Sequence, residues 1–142
     1  MAVGIQVVID CSDPARLAEF WSALLGYEVQ RPPEGYASWE EFLAAQGVPE
    51  SEWGSASAVV DPGGAGPRIY FQRVPERKTV KNRVHVDVNV GSGLGGQERR
   101  RRVDAEVQRA TGLGARMVRA YDEQGEHWVW MEDPEGNEFC LQ

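Results

Sequence analysis

The chain has 142 residues, of which 42% are hydrophobic and 26% are charged, and this composition is typical of one globular domain or of two small modules that share a core. The net charge of −7, from 15 basic and 22 acidic residues, argues against nucleic acid as the main partner, because phosphate neutralisation requires a basic face. No apolar run approaches the length of a membrane span, and the N-terminal residues do not resemble a signal peptide. We therefore expect a cytoplasmic protein that does not enter the membrane.

The first half of the sequence predicts a helix between two strands, followed by two further strands. Ser12 or Asp13 can cap the helix, Pro14 suits its first position, and Gly26 ends it. A shorter helix, capped by Ser38, interrupts the pattern. The predicted elements are strand 5–11, helix 14–25, strand 27–31, an inserted helical piece 36–53 with its helix at 39–46, and strands 55–60 and 68–73.

The second half predicts the same order of elements. Valines alternate with polar residues in its first strand, so His85, Asp87 and Asn89 share the side opposite the valines. The segment 133–137, Asp-Pro-Glu-Gly-Asn, is typical of a tight turn and predicts a closing hairpin. The predicted elements are strand 83–90, a glycine-rich loop 91–96, helix 97–111, strand 115–119, and hairpin strands 126–131 and 138–142.

The two halves read as a repeated βαβββ unit. Leu25-Gly26 and Leu113-Gly114 join helix to strand in the two copies, and Asp-Pro turns begin at 61 and 133. If the first turn is the longer by four residues, Gln72 corresponds to Cys140, and Gln6 corresponds to His85. The sequence therefore predicts module one at about 1–74, a linker at 75–82 and module two at about 83–142, within a single domain.

This layout resembles the vicinal oxygen chelate superfamily, which includes glyoxalases, bleomycin-resistance proteins and extradiol dioxygenases, and it looks most like the actinobacterial glyoxalase-like branch. The resemblance implies an α+β fold in which the sheets of two modules form a cup-shaped cavity that holds a metal or a small ligand. The residues that carry the resemblance are Asp13-Pro14, Phe20-Trp21, Leu25-Gly26, His85 and the turn 133–137.

The resemblance also implies where a metal ion would be bound. Superfamily enzymes take their ligands from the first and last strands of each module, with glutamate on the last strands. In this chain Gln72 and Cys140 stand at those glutamate positions, and divalent ions that activate oxygen prefer imidazole with carboxylate. We therefore predict no metal cofactor. The alternative is that His85, Glu138 and Gln6 hold one divalent ion, since Glu138 has the same strand parity as Cys140.

The cup would instead present polar side chains to a small-molecule ligand. Trp39 and Phe42 on the inserted helix either form a lid over the cavity or pack on the sheet edge, and both remain open. Trp128 or Trp130 could line the cup, although a core role is favoured for each. The predicted ligand-binding residues are Gln6, Tyr70, Gln72, His85, Asp87 and Cys140.

The two cysteines and the two basic stretches are interpreted as structural features. Cys11 and Cys140 show no metal-binding or disulfide spacing, so we expect two buried, reduced thiols. The basic stretches at 77–83 and 99–102 are interpreted as solvated faces, with a basic lip for an anionic small molecule as the alternative.

Three functions remain, and whether the protein is an enzyme stays open at this stage. The leading hypothesis is a small-molecule binding protein or a metal-independent enzyme of the glyoxalase-like class. The second is a metal-dependent lyase or dioxygenase. The third is a drug-sequestering resistance protein that acts as a homodimer without turnover. Fold alone does not separate the three.

Overall fold

The computed structural model describes residues 1–142 and divides them into two compact units, Met1–Arg77 and Lys78–Gln142. Each unit contains one four-stranded sheet with one long helix packed against it. Each follows the order strand, helix and three strands, so the predicted α+β fold of two βαβββ modules is confirmed. None of the helices combines the length and the apolar character that a membrane crossing requires.

The first unit forms a sheet in the order β1-β4-β3-β2, in which β1 and β4 are parallel. A short helix, α2, and a 3₁₀ turn at Glu50–Glu52 lie between β2 and β3, as the sequence predicts for the insertion. The elements are β1 (Val7–Cys11), α1 (Pro14–Leu25), β2 (Glu28–Val29), α2 (Trp39–Ala45), β3 (Ala56–Val60) and β4 (Ile69–Arg73).

Helix α1 begins and ends where its sequence signals place it. The Asp13 carboxylate accepts a hydrogen bond from the Arg16 backbone N–H at 3.2 Å, and Pro14 occupies the first turn. Gly26 ends the helix with φ of 71°, a left-handed conformation that glycine adopts without steric cost. The apolar face of α1 packs on β3 and β4, and the buried residues on the two sides are Leu17, Phe20, Trp21 and Leu24 from the helix and Val59, Ile69 and Phe71 from the sheet.

The second unit forms a sheet in the order β5-β8-β7-β6, and here β5 and β8 are parallel. Helix α3 packs on this sheet through Val103, Val107 and Ala110, all of which are buried. The elements are β5 (Val86–Val88), α3 (Gly96–Gly112), β6 (Arg116–Glu123), β7 (Glu126–Glu132) and β8 (Glu138–Leu141).

The tight turn before β8 is fixed by the side chain of Asp133, which is only 3% exposed. Its Oδ1 accepts hydrogen bonds from the backbone N–H groups of Glu135 at 2.9 Å and Asn137 at 3.0 Å. Gly136 has φ of 84°, which the turn requires. The predicted turn is confirmed, and it aligns β8 with β7 so that Phe139 and Leu141 are fully buried.

Two strand lengths differ from the sequence predictions. The strand predicted at 83–90 pairs only over Val86–Val88, because β5 is an edge strand whose one neighbour, β8, is short. The strand predicted at 115–119 extends to Glu123, because β6 pairs along the full length of β7. Alternation of apolar and polar residues thus located both strands, but the available partners set their lengths.

The hairpin registers correct one correspondence between the modules. Val59 lies opposite Ile69, so the first loop covers residues 61–67, whereas Glu132 lies opposite Glu138, so the second covers 133–137. The first turn is therefore the longer by two residues, and the expected difference of four is wrong. Cys140 then corresponds to Tyr70, while Gln72 corresponds to Gln142. Gln6 and His85 still correspond, since they stand beside Arg68 and Glu138 at the same level of their sheets.

Candidate functional site

Each sheet has one face that the long helix of its own unit covers and one that it does not. In the second unit α3 covers the face carrying Val129, Met131, Phe139 and Leu141. We call the opposite side the second open face. By strand register and alternation it carries His85, Asp87, Asn89, Trp128, Trp130, Glu138, Cys140 and Gln142.

A cluster of His85, Asp87 and Cys140 lies on the second open face. Asp87 is opposite Cys140 in the β5–β8 pairing, and His85 Nε2 is 3.2 Å from Asp87 Oδ1. One nitrogen, oxygen or sulfur atom from each residue lies within 4.8 Å of the others. The structure thus brings together three of the predicted site residues, with two of them exposed and the thiol buried.

The thiol of Cys140 is held in its protonated form. Burial raises its pKa, and the negative charge of Asp87 and a hydrogen bond to that carboxylate raise it further, while the nearby Lys81 opposes the shift. Nucleophilic cysteines require the reverse environment, in which a cation or a base favours the thiolate. The thiol–imidazole pairing of Cys140 with His85 is therefore unsuited to nucleophilic attack.

The carboxylate of Glu138 is already committed to three donors. The residue is 8% exposed, and its Oε2 accepts a hydrogen bond from the Asn82 N–H at 2.7 Å and one from Lys81 Nζ at 3.4 Å. Lys78 Nζ lies 3.7 Å from Oε1. Burial alone would raise the pKa of Glu138, but the Asn82 hydrogen bond and the two ammonium charges outweigh it, so the pKa lies below its usual value.

Both tryptophans of β7 lie on the second open face. Trp130 is opposite Cys140, and Lys81 Nζ is 4.9 Å from the centre of its ring. Trp128 stacks on Tyr121 with ring centres 5.2 Å apart. The core role favoured for the tryptophans is therefore wrong, because alternation places Val129 and Met131 in the core instead. The indole N–H of Trp130 is buried and has no hydrogen-bond partner in the protein.

The first sheet has a corresponding surface, which we call the first open face. Helix α1 covers Ile69 and Phe71, so Arg68, Tyr70 and Gln72 face the other way. Gln72 Nε2 donates to Asp10 Oδ1 at 2.9 Å. The predicted residues Gln6, Tyr70 and Gln72 thus share one face of the first sheet. Tyr70 and Gln72 are on β4, and Gln6 directly precedes the neighbouring strand β1.

Arg68 organises the other end of the first open face. Its Nη1 donates to Gln6 Oε1 at 2.8 Å, its Nε donates to Gln30 Oε1 at 2.8 Å, and its guanidinium lies over the Tyr70 ring, 5.3 Å from the ring centre. Arg68, Gln30 and Asp10 were not among the site residues predicted from the sequence. Arg68 lies in the predicted strand 68–73 with the parity of Tyr70 and Gln72, so alternation already placed it on their side, whereas nothing in the sequence indicates its diagonal contact with Gln30.

The inserted helix is anchored to the first sheet. Trp39 Nε1 donates to the backbone carbonyl of Gln30 at 2.8 Å, and the Phe42 ring contacts the rings of Trp39 and Tyr36 edge to face. The hydrogen bond from Trp39 to Gln30 favours packing of the inserted helix on the sheet edge. The lid role of Trp39 and Phe42 remains a prediction.

Most of the basic residues singled out in the sequence have partners inside their own unit. Lys78 and Lys81 pair with Glu138, although they lie in the segment predicted as a linker. In α3, Arg100 pairs with Asp104 and Asp122, and Arg102 pairs with Glu106. These cations stabilise neighbouring carboxylates, which matches the interpretation as solvated faces better than a continuous basic lip.

The polar groups do not fit a hard divalent ion of the kind the superfamily implies. Of the alternative ligand set, Glu138 is neutralised by two ammonium groups, and the Gln6 oxygen accepts from a guanidinium. A metal ion at either oxygen would be repelled by the cation already there. The cluster of His85, Asp87 and Cys140 offers one nitrogen, one oxygen and one sulfur, a set better suited to zinc than to magnesium or manganese.

We expect Glu138→Gln to destabilise the protein in a pH-dependent manner. The lowered pKa means that the carboxylate contributes stability above its unfolded pKa of about 4.5, and that this contribution is lost as the pH falls through the folded-state pKa. At pH 7 the loss should be about 1–3 kcal/mol, as for a buried charge-assisted hydrogen bond. Urea unfolding at several pH values measures it.

The matched control is Glu126→Gln, which removes the same charge from an exposed residue of β7. Its effect should be close to zero at every pH. A Glu138→Gln deficit that is unchanged between neutral and strongly acidic pH would contradict the role given to the carboxylate.

We also expect Asp87→Asn to make Cys140 more reactive. Removing the carboxylate removes a charge that raises the thiol pKa, so the thiolate fraction at pH 8 should grow, and alkylation should accelerate roughly three- to tenfold. Site-resolved mass spectrometry of iodoacetamide-treated, chelator-washed protein measures this, with Cys11 as an internal control. An unchanged or slower rate at Cys140 would show that Asp87 does not set the thiol pKa.

Comparison with known proteins supports the fold described above. A possible glyoxalase from Bacillus cereus superposes with a TM-score of 0.62 at 16% identity, covering 99% of both chains. A glyoxalase/bleomycin resistance protein/dioxygenase family enzyme from Burkholderia phytofirmans PsJN gives 0.61 at 17% identity, covering 96% of this chain and 94% of that one.

A mutant of the fosfomycin resistance protein FosX from Listeria monocytogenes, complexed with Mn(II) and 1S,2S-dihydroxypropylphosphonic acid, gives a TM-score of 0.62 at 16% identity, covering 100% of this chain and 90% of that one. No curated protein matches the chain significantly. At these identities the structural likeness shows the fold alone. The family model described as the glyoxalase-like domain matches residues 6–142. The chain therefore belongs to the glyoxalase-like domain family of the vicinal oxygen chelate superfamily.

Proposed function

We propose that this protein binds a small polar organic ligand on the open faces of its sheets, and that binding and any turnover proceed without a hard divalent metal ion. The observation that carries the proposal is the state of Glu138. In this chain it is the carboxylate of β8, and it is already neutralised by Lys78 and Lys81 and hydrogen-bonded to the Asn82 N–H. A carboxylate in that state offers a metal ion little net attraction.

Trp130 supports the ligand half of the proposal. A buried N–H without an acceptor costs roughly 1–3 kcal/mol. Because this nitrogen is buried, a ligand oxygen would recover part of that cost only on displacing the groups that cover it. The same face presents the Lys81 ammonium over the indole ring and the exposed carboxylate of Asp87. A ligand that matches these groups has an acceptor for the indole and a donor for Asp87, as a hydroxylated or carbonyl-containing small molecule does.

The test is a screen of small polar organic compounds against the chelator-treated protein, with binding and turnover followed together. We expect a hit to bind equally well with and without EDTA, and to lose about tenfold in affinity in Trp130→Phe, which removes the N–H but keeps an aromatic ring. Trp128→Phe is the control, because Trp128 stacks on Tyr121 and is not the unpaired indole.

Each outcome of the screen separates the hypotheses. Chemical conversion of a hit identifies an enzyme, and stoichiometric binding without conversion identifies a sequestering protein. Binding or turnover that is abolished by EDTA and restored by a hard divalent ion would contradict the proposal and favour the metal-dependent alternative.

A second candidate is a zinc-type site made by His85, Asp87 and Cys140. The observation that favours it is their convergence, with ligand atoms within 4.8 Å of one another. Binding would displace the thiol proton, so affinity should rise with pH. Titration with Co(II) would show a thiolate charge-transfer band that disappears in Cys140→Ser. Absence of that band at neutral and mildly alkaline pH would remove this candidate.

A further inference from the structure

We propose that Arg68 is a receptor for an oxyanion, a carboxylate, phosphate or phosphonate group, bound on the first open face. The inference deepens the proposed function, because it assigns a negative charge to the ligand, and to that extent it rests on that function. The residues that support it lie on the first open face and not on the second. It can be tested with inorganic phosphate alone.

Arg68 is held in a fixed orientation by two neutral side chains. Its Nε and Nη1 donate to the side-chain oxygens of Gln30 and Gln6, both at 2.8 Å. Amide oxygens fix the direction of the guanidinium but carry no net charge, so the positive charge is oriented without being neutralised. The geometry is therefore that of a pre-organised cation.

Other arginines of this acidic chain differ from Arg68 in their partners. Several pair with carboxylates within 4.0 Å, as Arg73 does with Glu52 and Arg116 with Glu132. Arg68 has no such partner. Exposed arginines without a carboxylate, such as Arg31 and Arg83, are surrounded by solvent, whereas Arg68 is half-buried and fixed by side chains. Its charge is thus both uncompensated and less screened by water.

The guanidinium of Arg68 keeps N–H donors that a ligand can use. A guanidinium has five N–H donors, and two of them are used by Gln6 and Gln30. The remaining three include both N–H groups of Nη2, and a bidentate contact with an oxyanion needs only two. The Tyr70 ring beneath the guanidinium, 5.3 Å away at its centre, supports the plane of the group and limits its access to water.

Other charges on the same face define how the ligand would lie. Asp10, which accepts from Gln72, is the acidic group of β1, and it lies two levels from Gln6 along the strand. The registers of β2 with β3 and of β3 with β4 also place Glu28 on this face, so the face is positive at Arg68 and negative at Asp10 and Glu28. An anionic ligand would place its oxyanion at Arg68 and a neutral, hydrogen-bonding part toward Gln72. With a net charge of −7, the chain as a whole disfavours nonspecific anion binding, so saturable binding would be local.

The test is a titration with inorganic phosphate and with methylphosphonate, followed by the NMR signal of the Arg68 Nε–H group. We expect a saturable shift of this signal in the unmodified protein. Gln30→Glu keeps the acceptor in place but supplies a compensating negative charge, so phosphate affinity should fall about tenfold, the effect of one lost charge-assisted contact. Because the new carboxylate pairs with Arg68, the thermal midpoint of this variant should not fall.

Arg16→Gln is the matched control, because it lowers the net charge by the same single unit at an exposed position on α1. Its phosphate affinity should equal that of the unmodified protein. Arg68→Gln should abolish saturable binding, which is followed in this variant by the phosphorus NMR signal of phosphate because the Arg68 signal is absent. The proposal is overturned if the unmodified protein shows no saturable shift, or if Gln30→Glu and Arg16→Gln weaken binding equally.

The outcomes also distinguish this inference from the proposed function. Phosphate binding at Arg68 with no organic ligand found would sustain the receptor and remove the function. An organic ligand whose affinity is unaffected by Gln30→Glu and Arg68→Gln, together with no saturable phosphate shift, would sustain the function and remove the receptor.

Discussion

The parallel pairing of the first and last strands in each module is the constraint on which the rest of the structure depends. It brings the beginning of a module beside its end, in a register that sets each polar side chain against a particular neighbour. The same level of the two sheets holds equivalent hydrogen bonds, Gln72 to Asp10 at 2.9 Å and Gln142 to Asn89 at 2.8 Å. The repeat inferred from the sequence is thus visible in side-chain contacts as well as in the order of elements.

The two modules use that shared scaffold for opposite charges. In the first, the cation Arg68 is held by two neutral amides. At the corresponding position of the second, the anion Glu138 is held by two lysines and a backbone N–H. A hard metal ion requires anionic oxygens that are free to bind it. Neither position supplies them, because Arg68 is itself a cation and Glu138 is paired with two lysines.

The sequence predicted the fold largely through local signals. Alternation in β8, the cap of α1 and the turn at Asp133 each specify geometry within a few residues, and all three are confirmed. The register between modules was misjudged because the length of the loop 61–67 is not set by its turn residues alone. Asp61 accepts from Gly63, Ala65 and Gly66, which closes the loop so that it is two residues longer than the loop 133–137, and not four.

The candidate site could be predicted only in part. Strand parity gave the face on which His85, Asp87 and Cys140 lie, and these three do converge. Strand parity could not predict contacts between distant segments. Lys78 and Lys81 contact Glu138 from a segment that the sequence predicted as a linker, and Arg68 contacts Gln30 diagonally across the sheet. Such contacts depend on long side chains whose direction is set by the folded sheet.

The central claim is that cations already present on the two open faces exclude a hard divalent ion. Titration of the chelator-treated protein with Mn(II), with free ion measured by electron paramagnetic resonance, tests it directly. The account predicts no saturable binding below about 1 mM, a free energy weaker than about −4 kcal/mol. Stoichiometric binding with a dissociation constant of about 1 μM or tighter would contradict it, because about −8 kcal/mol requires the oxygens of Glu138 and Gln6, which Lys78, Lys81 and Arg68 would have to release.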